Sequence, residues 1–178
     1  MKKQISLLTL LVAAILPTMI LSGCGVSSMT PQQKTDEEQR IEEGVYKALD
    51  SRRYRIGVDT MIPRRGGTQH LTTPYSVTVD GTHLVSYLPY FGVAYNVPYG
   101  GGKSLNFESE IDEYNRKTGR KGEEIITLTT DNGEDVLNYQ ITIFPNGKSS
   151  IEVWSRRRDS ISFWGELNPD RQPDFNKK

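Results

Sequence analysis

The sequence contains few of the residues that usually build enzyme active sites and metal centres. It has one cysteine, Cys24, and two histidines, His70 and His83. A single cysteine cannot form an intramolecular disulfide, and it cannot supply the several thiolates of a structural zinc site. Neither histidine accompanies a nucleophile motif such as Gly-x-Ser-x-Gly, and both lie beside turn or strand-edge sequence. We therefore predict no catalytic residue, no metal site and no cofactor.

The chain also has no excess of either charge. Lysine plus arginine and aspartate plus glutamate number 22 each. Two of these lysines, Lys2 and Lys3, lie in the N-terminal leader, so its removal leaves 20 basic against 22 acidic residues. Proteins that bind nucleic acid present a concentrated basic surface to the phosphates. We therefore expect no nucleic-acid partner.

The N-terminus has the pattern of a bacterial lipoprotein leader. Two lysines precede an apolar run from Ile5 to Leu21, which is typical of a secretory signal. The run ends in Leu21-Ser22-Gly23-Cys24, which resembles the lipobox, where the cysteine receives diacylglycerol. The alternative is a transmembrane anchor, but this 17-residue run contains a proline and is shorter than the ~20 residues that cross a bilayer. We predict that residues 1–23 are a signal peptide and that Cys24 is the lipid attachment site.

Lipid on Cys24 predicts the location of the mature protein. Acyl chains hold a protein stably on a membrane, and a lipidated cysteine is no longer a free thiolate. Residues 24–34 are small and polar, as expected for a flexible tether. Neither an aspartate directly after Cys24 nor an acidic cluster follows, so we find no cue for inner-membrane retention or surface export. We expect the outer membrane, facing the periplasm, with an unidentified periplasmic ligand or envelope protein as partner.

One helix is predicted at the start of the mature domain. Thr35 and Glu38 have the spacing of a capping box, and the helix is expected to end near Ser51. Its apolar stripe consists of Ile41, Val45, Ala48 and Leu49. A membrane-surface helix is the alternative, but the acidic residues on the polar side favour docking of the stripe on the domain.

From Arg53 onward the apolar period changes to two, which is typical of antiparallel strands joined by hairpins. About eight strands are predicted, with a clear hairpin turn at Asp80-Gly81. The fold class is therefore mainly β (α+β), an up-and-down meander curved into a half-barrel or barrel. A two-sheet sandwich is the alternative. Residues 35–167 are expected to form this single domain, and the polar residues 168–178 to be a disordered tail.

Several short runs resemble a known family. They are Val85-Ser86-Tyr87, the run from Leu88 to Tyr95, and Ile161-Ser162-Phe163-Trp164-Gly165. They look like the motifs of the lipoprotein family catalogued as domain of unknown function 4251, from Gram-negative gut anaerobes. The resemblance spans Glu38 to Leu167 and implies an envelope lipoprotein. It implies no established activity, substrate or catalytic residue.

The densest set of aromatic residues lies between positions 87 and 102, among prolines and three consecutive glycines. The candidate ligand-binding residues are Tyr87, Tyr90, Phe91, Tyr95 and Tyr99. Such rings offer a rigid stacking surface for a sugar, a peptidoglycan fragment or a peptide. Alternatively, the segment is a bulged strand corner whose rings pack on the fold.

Two charged sets also have alternative interpretations. The first set could form a basic patch that binds lipid headgroups or an anionic glycan, or it could be a solvated turn. It consists of Arg156, Arg157 and Arg158, with Arg64 and Arg65. The second set consists of Glu108, Glu110 and Asp112. Strand alternation places all three on one exposed face, so we expect them to keep the protein soluble rather than to act as catalytic carboxylates. We therefore favour a non-enzymatic binding or structural envelope lipoprotein, with a glycan- or cell-wall-acting hydrolase as the alternative.

Overall fold

The structure, a computed structural model, describes residues 30–92 and 104–175. This part of the chain contains one α-helix, eight strands and a short 3-10 helix at Pro169–Arg171. The helix and strands are α1 (Pro31–Asp50), β1 (Arg53–Pro63), β2 (Gln69–Asp80), β3 (His83–Tyr87), β4 (Asn106–Thr118), β5 (Glu124–Asp131), β6 (Val136–Ile143), β7 (Lys148–Ser155) and β8 (Ile161–Glu166).

The eight strands form a closed antiparallel barrel. Each strand pairs with the next one in the chain, and β8 returns to pair with β1. The predicted meander is confirmed, and the two-sheet sandwich is excluded. Closure removes the free edges that an open sheet of the same strands would expose.

The barrel interior is filled by apolar side chains from all eight strands. These side chains form one buried cluster, which includes Tyr54, Ile56, Val77, Val79, Leu84, Phe107, Ile126, Leu128, Tyr139, Ile141, Ile151, Val153 and Phe163. An eight-stranded barrel has an interior just wide enough for side chains to fill. The alternation seen in the sequence therefore separates a packed core from the outer wall.

Helix α1 packs against the end of the barrel that holds the β2–β3 and β4–β5 turns. Its residues Val45, Ala48 and Leu49 are buried in the same core cluster, and Ile41 packs against that cluster. The hydroxyl of Tyr46 donates to the carbonyl of Gly122 at 3.3 Å. Docking of the apolar stripe is thus confirmed. No helix in residues 30–92 and 104–175 has the length and apolar character needed to cross a bilayer.

The helix begins at Pro31, so the predicted start at Thr35 is wrong. Thr30 is the N-cap: its side chain accepts from the backbone N–H of Gln33, whose own side chain accepts from the backbone N–H of Thr30. Proline is favoured at the first helical position because its φ suits the helix and it has no N–H to leave unpaired. The hydroxyl of Thr35 instead donates to the carbonyl of Pro31. Residues 31–34, predicted as tether, therefore belong to α1.

The described part of the predicted disordered tail is folded onto the barrel. Asn168 caps the 3-10 helix by accepting from the N–H of Asp170 at 2.9 Å. The pairing of β8 with β1 stops at Gly57, so the backbone of Arg55 has no β8 partner. The side-chain amide of Gln172 bonds to both the N–H and the carbonyl of Arg55. This side chain satisfies polar backbone groups that β8 is too short to reach.

Candidate functional site

Three of the predicted site residues lie in the described part of the chain. Cys24, Tyr95 and Tyr99 lie outside the described residues. Tyr87 lies at the end of β3, with its ring centroid 5.1 Å from that of Tyr75. Phe91 is 58% exposed.

Tyr90 belongs to the barrel mouth, the end of the barrel opposite α1. Its ring is partly buried against the core, and its hydroxyl donates to the carbonyl of Asp159 at 3.3 Å. The guanidinium carbon of Arg158 lies 5.6 Å from the centroid of the Tyr90 ring, within the range of a cation–π contact. Tyr90 thus packs on the fold, as expected if this segment is a strand corner rather than a ligand-stacking surface.

Arg158 is buried in the barrel mouth and is not part of an exposed basic patch. Its side chain is 8% exposed and lies 3.6 Å from Glu134 and 3.9 Å from Asp135. The predicted patch is reduced further because Arg64 pairs with Asp159 at 3.3 Å. These ion pairs hold three mouth connections together.

A buried hydroxyl pair lies inside the barrel. The hydroxyl of Tyr139 donates to the Ser86 hydroxyl at 3.1 Å, and Ser86 donates to the carbonyl of Leu105 at 2.8 Å. Burial raises the pKa of Tyr139, although its bond to Ser86 and the charge of Arg158 oppose the rise. Tyr139 is therefore a neutral, hydrogen-bonded core residue at physiological pH.

The outer wall of the barrel carries an exposed tryptophan, Trp164. Ile161 and Phe163 of β8 are buried in the core, so alternation turns Trp164 outward, where it is 53% exposed. Its cross-strand partners are Ser150 on β7 and Thr60 on β1. Because both partners are small, much of the indole remains uncovered.

Glu166 lies on the same outward face two residues beyond Trp164. Its cross-strand partners are Lys148 on β7 and Gly57 on β1. Because Gly57 has no side chain, no β1 side chain covers Glu166 at this position. Trp164 and Gly57 line adjoining depressions on this wall, which together form a groove.

A β-bulge places Asp59 in the same groove. The register of β1 shifts between Val58 and Thr60 in its pairing with both β2 and β8. Against β8, Asp59 is an extra residue between the pairs Val58–Gly165 and Thr60–Trp164, and a bulge of this kind redirects a side chain. Against β2, residues 71–74 lie opposite Asp59 without regular pairing. Its carboxylate is exposed and accepts from the hydroxyl of Thr60 at 2.6 Å.

The strands beneath the groove approach each other closely at a glycine. A Cβ atom built on Gly165 would overlap the carbonyl oxygen of Gly57. Gly57 and Gly165 both line the groove, and only glycine fits at position 165 without movement of β1.

Two adjoining depressions make up this site, which we call the outer-wall groove; they share Asp59 and Glu166. One has a volume of about 450 Å³ and is also lined by Phe144, Lys148, Ser150 and Trp164. The other has a volume of about 360 Å³ and is also lined by Arg55, Gly57, Tyr75 and Arg171. Tyr87 contacts Tyr75, so one predicted site residue adjoins the groove.

The groove presents charged groups that are not engaged with one another. Among the described residues, none of its five charged side chains forms a salt bridge: Arg55, Asp59, Lys148, Glu166 and Arg171. Carboxylates accept hydrogen bonds, whereas lysine and arginine only donate them. The groove therefore offers acceptors, donors and an aromatic surface to a polar ligand. In residues 30–92 and 104–175, no group of three or more His, Cys, Asp or Glu is arranged to hold a metal.

The comparisons with known proteins show the family. The sequence profile of a family described as domain of unknown function (DUF4251) matches residues 33–167. The chain belongs to the DUF4251 family. A crystal structure of a DUF4251 family protein from Bacteroides eggerthii DSM 20697, at 1.95 Å resolution, is similar with a TM-score of 0.58 and 14% sequence identity. The similarity covers 75% of this chain and 91% of that chain. Comparison with curated proteins finds no match.

In this DUF4251 domain, one of the resemblance motifs forms part of the groove. Residues 161–165 comprise two inward apolar residues, the outward Trp164 and the glycine at the close approach to β1. The predicted site does not include Trp164, Asp59 or Glu166. Alternation with Ile161 and Phe163 is the sequence signal that identifies Trp164 as an exposed aromatic residue.

Proposed function

We propose that this DUF4251 chain is a lipid-anchored envelope protein, attached through Cys24 and facing the periplasm from the outer membrane, which binds a polar ligand in the outer-wall groove. The observation that carries the proposal is an exposed indole, Trp164, on the same wall as two carboxylates without salt bridges, Asp59 and Glu166. Large exposed aromatic residues beside polar groups are typical of binding sites.

Binding on the outer wall agrees better with the structure than binding inside the barrel. The barrel interior is filled by the core cluster, which also includes Val45 and Leu49 of α1 at one end. A ligand inside the barrel would have to displace this core, whereas the outer-wall groove is open to solvent.

Binding is also favoured over hydrolysis, the alternative function. A general acid needs a carboxyl group that apolar surroundings keep protonated. Asp59 and Glu166 are both exposed to solvent. Neither carboxyl group therefore has the apolar surroundings of a general acid, and both are accessible as hydrogen-bond acceptors.

The position of α1 supports the anchoring part of the proposal. Nearly all of residues 31–40 are exposed, and packing on the barrel begins beyond them. Ten helical residues span ~15 Å. A helical segment of this length between Cys24 and the barrel would hold the barrel away from a membrane to which Cys24 is anchored.

Metabolic labelling with palmitate tests the anchor. We expect label on the wild-type chain, and for Cys24→Ala no label and release into the soluble fraction. Ser27→Ala, three residues further on, is the matched control and should be labelled normally. Label that persists in Cys24→Ala would contradict the lipoprotein proposal.

Cosedimentation with envelope fragments tests the binding. The mature chain with Cys24→Ala, which cannot be lipidated, is mixed with washed fragments from the native cells. We expect Trp164→Ala to lower the bound fraction at least about 10-fold, as loss of an aromatic hot spot does. Trp154→Ala is the matched control, because Trp154 is also exposed on the outer wall but does not line the groove. Equal loss in both variants, or no loss in either, would contradict the proposed site.

A further inference from the structure

We infer that the ligand of the outer-wall groove is a carbohydrate, with a pyranose ring stacked on Trp164. The inference rests on the proposed function, because it names the ligand class of the same groove.

The aromatic surface suits a sugar ring. The face of an indole carries negative charge from its π electrons, and the axial C–H groups on one face of a pyranose carry partial positive charge. Trp164 is accessible to such a face because Ser150 and Thr60 are its cross-strand partners. Phe144 is 39% exposed and lines the same depression, so it offers a second ring beside the first.

The polar groups suit hydroxyls better than they suit an ion. Each sugar hydroxyl both donates and accepts, so it matches a surface that mixes carboxylates with basic side chains. Asp59 and Glu166 accept from hydroxyls, and Lys148 donates to hydroxyl or ring oxygens, with the added strength of charge-assisted bonds. Because both charge signs line the groove, neither a polyanion nor a polycation meets a uniform complementary surface.

An apolar partner fits the groove less well. Covering Asp59 and Glu166 with apolar groups would remove their water without replacing its hydrogen bonds, which is costly for a charged group. A sugar replaces that water with its own hydroxyls. The two depressions, of about 450 and 360 Å³, fall within the usual size of small-ligand sites and run side by side, so an oligosaccharide fits them better than a single sugar.

The direct test is a printed array of pyranose oligosaccharides, comprising glucans, mannans, galactans and N-acetylglucosamine oligomers, followed by calorimetry on the best binder. We expect Trp164→Ala to weaken binding at least about 10-fold and Trp164→Phe to weaken it less. Asp59→Asn and Glu166→Gln should each weaken it several-fold with an unchanged melting temperature. Trp154→Ala should bind as the parent chain does. Array binding that is unaffected by Trp164→Ala would overturn the inference.

A second measurement separates this inference from the proposed function. Envelope fragments are treated either with periodate, which cleaves the vicinal diols of sugars, or with protease, before cosedimentation. Retention that depends on Trp164, survives protease and is lost after periodate supports a carbohydrate. Retention that depends on Trp164 but survives periodate and is lost after protease refutes the carbohydrate while the binding function stands. If no retention depends on Trp164, both proposals fail.

Discussion

At the scale of single residues, backbone contact between β1 and β8 determines what position 165 can hold. Gly57 and Gly165 lie on neighbouring strands, but their surroundings differ. A Cβ on Gly165 would overlap the backbone of Gly57, whereas a Cβ on Gly57 would have its nearest neighbour, the carbonyl oxygen of Glu166, at 3.9 Å. The two glycines therefore make a matched pair for substitution.

We predict that Gly165→Ala destabilises the barrel by about 1–3 kcal/mol, because β1 must move away from β8 to admit the methyl group. Gly57→Ala should leave the free energy of unfolding unchanged or raise it, since alanine costs less entropy than glycine in a strand. Urea denaturation monitored by tryptophan fluorescence measures both. A Gly165→Ala chain as stable as the parent would show that the two strands can separate freely.

A second residue-scale feature is the buried carboxylate of Glu124. Glu124 is 3% exposed, and its two oxygens accept from Arg116 at 2.6 Å and from the hydroxyl of Thr118 at 2.7 Å. Arg116 also bonds to Asp50 at the end of α1, at 2.6 Å. The buried and the exposed partner of one arginine can thus be tested separately.

We predict that Arg116→Met costs about 3 kcal/mol, because it leaves the Glu124 carboxylate buried without a cation. Asp50→Asn should cost less than about 1 kcal/mol, since Asp50 is 72% exposed and solvent replaces the pair. Thermal and urea unfolding of the two variants provide the comparison. Similar losses of stability in the two variants would mean that Arg116 stabilises the protein mainly through its ion pair with Asp50 of α1, rather than by neutralising the buried Glu124.

Residues of the groove differ in how far the sequence predicts them. The outward direction of Trp164 follows from its alternation with Ile161 and Phe163. The position of Asp59 does not, because the bulge at Asp59 depends on the pairing of β1 with strands on both sides. The two carboxylates of the groove come from positions 59 and 166, and only closure of the barrel brings them together.

At the scale of elements, α1 and the 3-10 helix at Pro169–Arg171 are joined by one exposed arginine. Arg40 donates to Asp170 at 2.8 Å through both terminal nitrogens and also bonds to Glu37. The bond from Arg40 lowers the pKa of Asp170 below its ordinary value of 3.8. The bond from Arg40 likewise lowers the pKa of Glu37 below 4.5. Ionised Asp170 therefore favours the docked 3-10 helix, whereas the bond between Glu37 and Arg40 lies within α1.

We predict that acid weakens the contact between α1 and the 3-10 helix while the barrel stays folded. A lowered carboxyl pKa contributes fully above the unfolded value of 3.8, and the contribution is lost as the pH falls through the lowered folded value. An NMR pH titration of the Asp170 carboxyl and of the amides of residues 168–172 measures this change. Asp170→Asn should show the low-pH amide shifts already at neutral pH. A midpoint at or above 3.8 for Asp170 would contradict the prediction.

At the start of α1, two capping patterns in the sequence compete to set the first residue of the helix. Thr30 with Gln33 and Thr35 with Glu38 both have cap spacing, and the proline at position 31 decides in favour of the earlier one. The strands were predictable because inward and outward residues alternate along most of each strand, and most of their turns contain glycine. The ordered tail was not, because the bonds of Gln172 depend on the exposed end of β1, a strand far away in sequence.

At the scale of the whole molecule, the fold depends on the pairing of the first strand with the last. Alternating strands predict a meander, but an open sheet and a closed barrel have the same alternation, so closure is a property of the complete set of strands. Strand β8 pairs with both β7 and β1 and contributes Ile161 and Phe163 to the core. Its loss would open two edges and expose the interior.

We therefore predict that a chain ending at residue 155, which lacks β8, does not fold cooperatively. A chain ending at residue 167 is the matched control: it keeps all eight strands and loses only the surface bonds of the tail, at a cost of about 1–3 kcal/mol. Circular dichroism and urea unfolding of both chains provide the measurement. The first and last strands of the barrel complete each other's hydrogen bonds, so the shorter chain should lack a cooperative transition. A cooperative transition in the shorter chain would contradict this prediction, because it would show that the other seven strands form a stable open sheet.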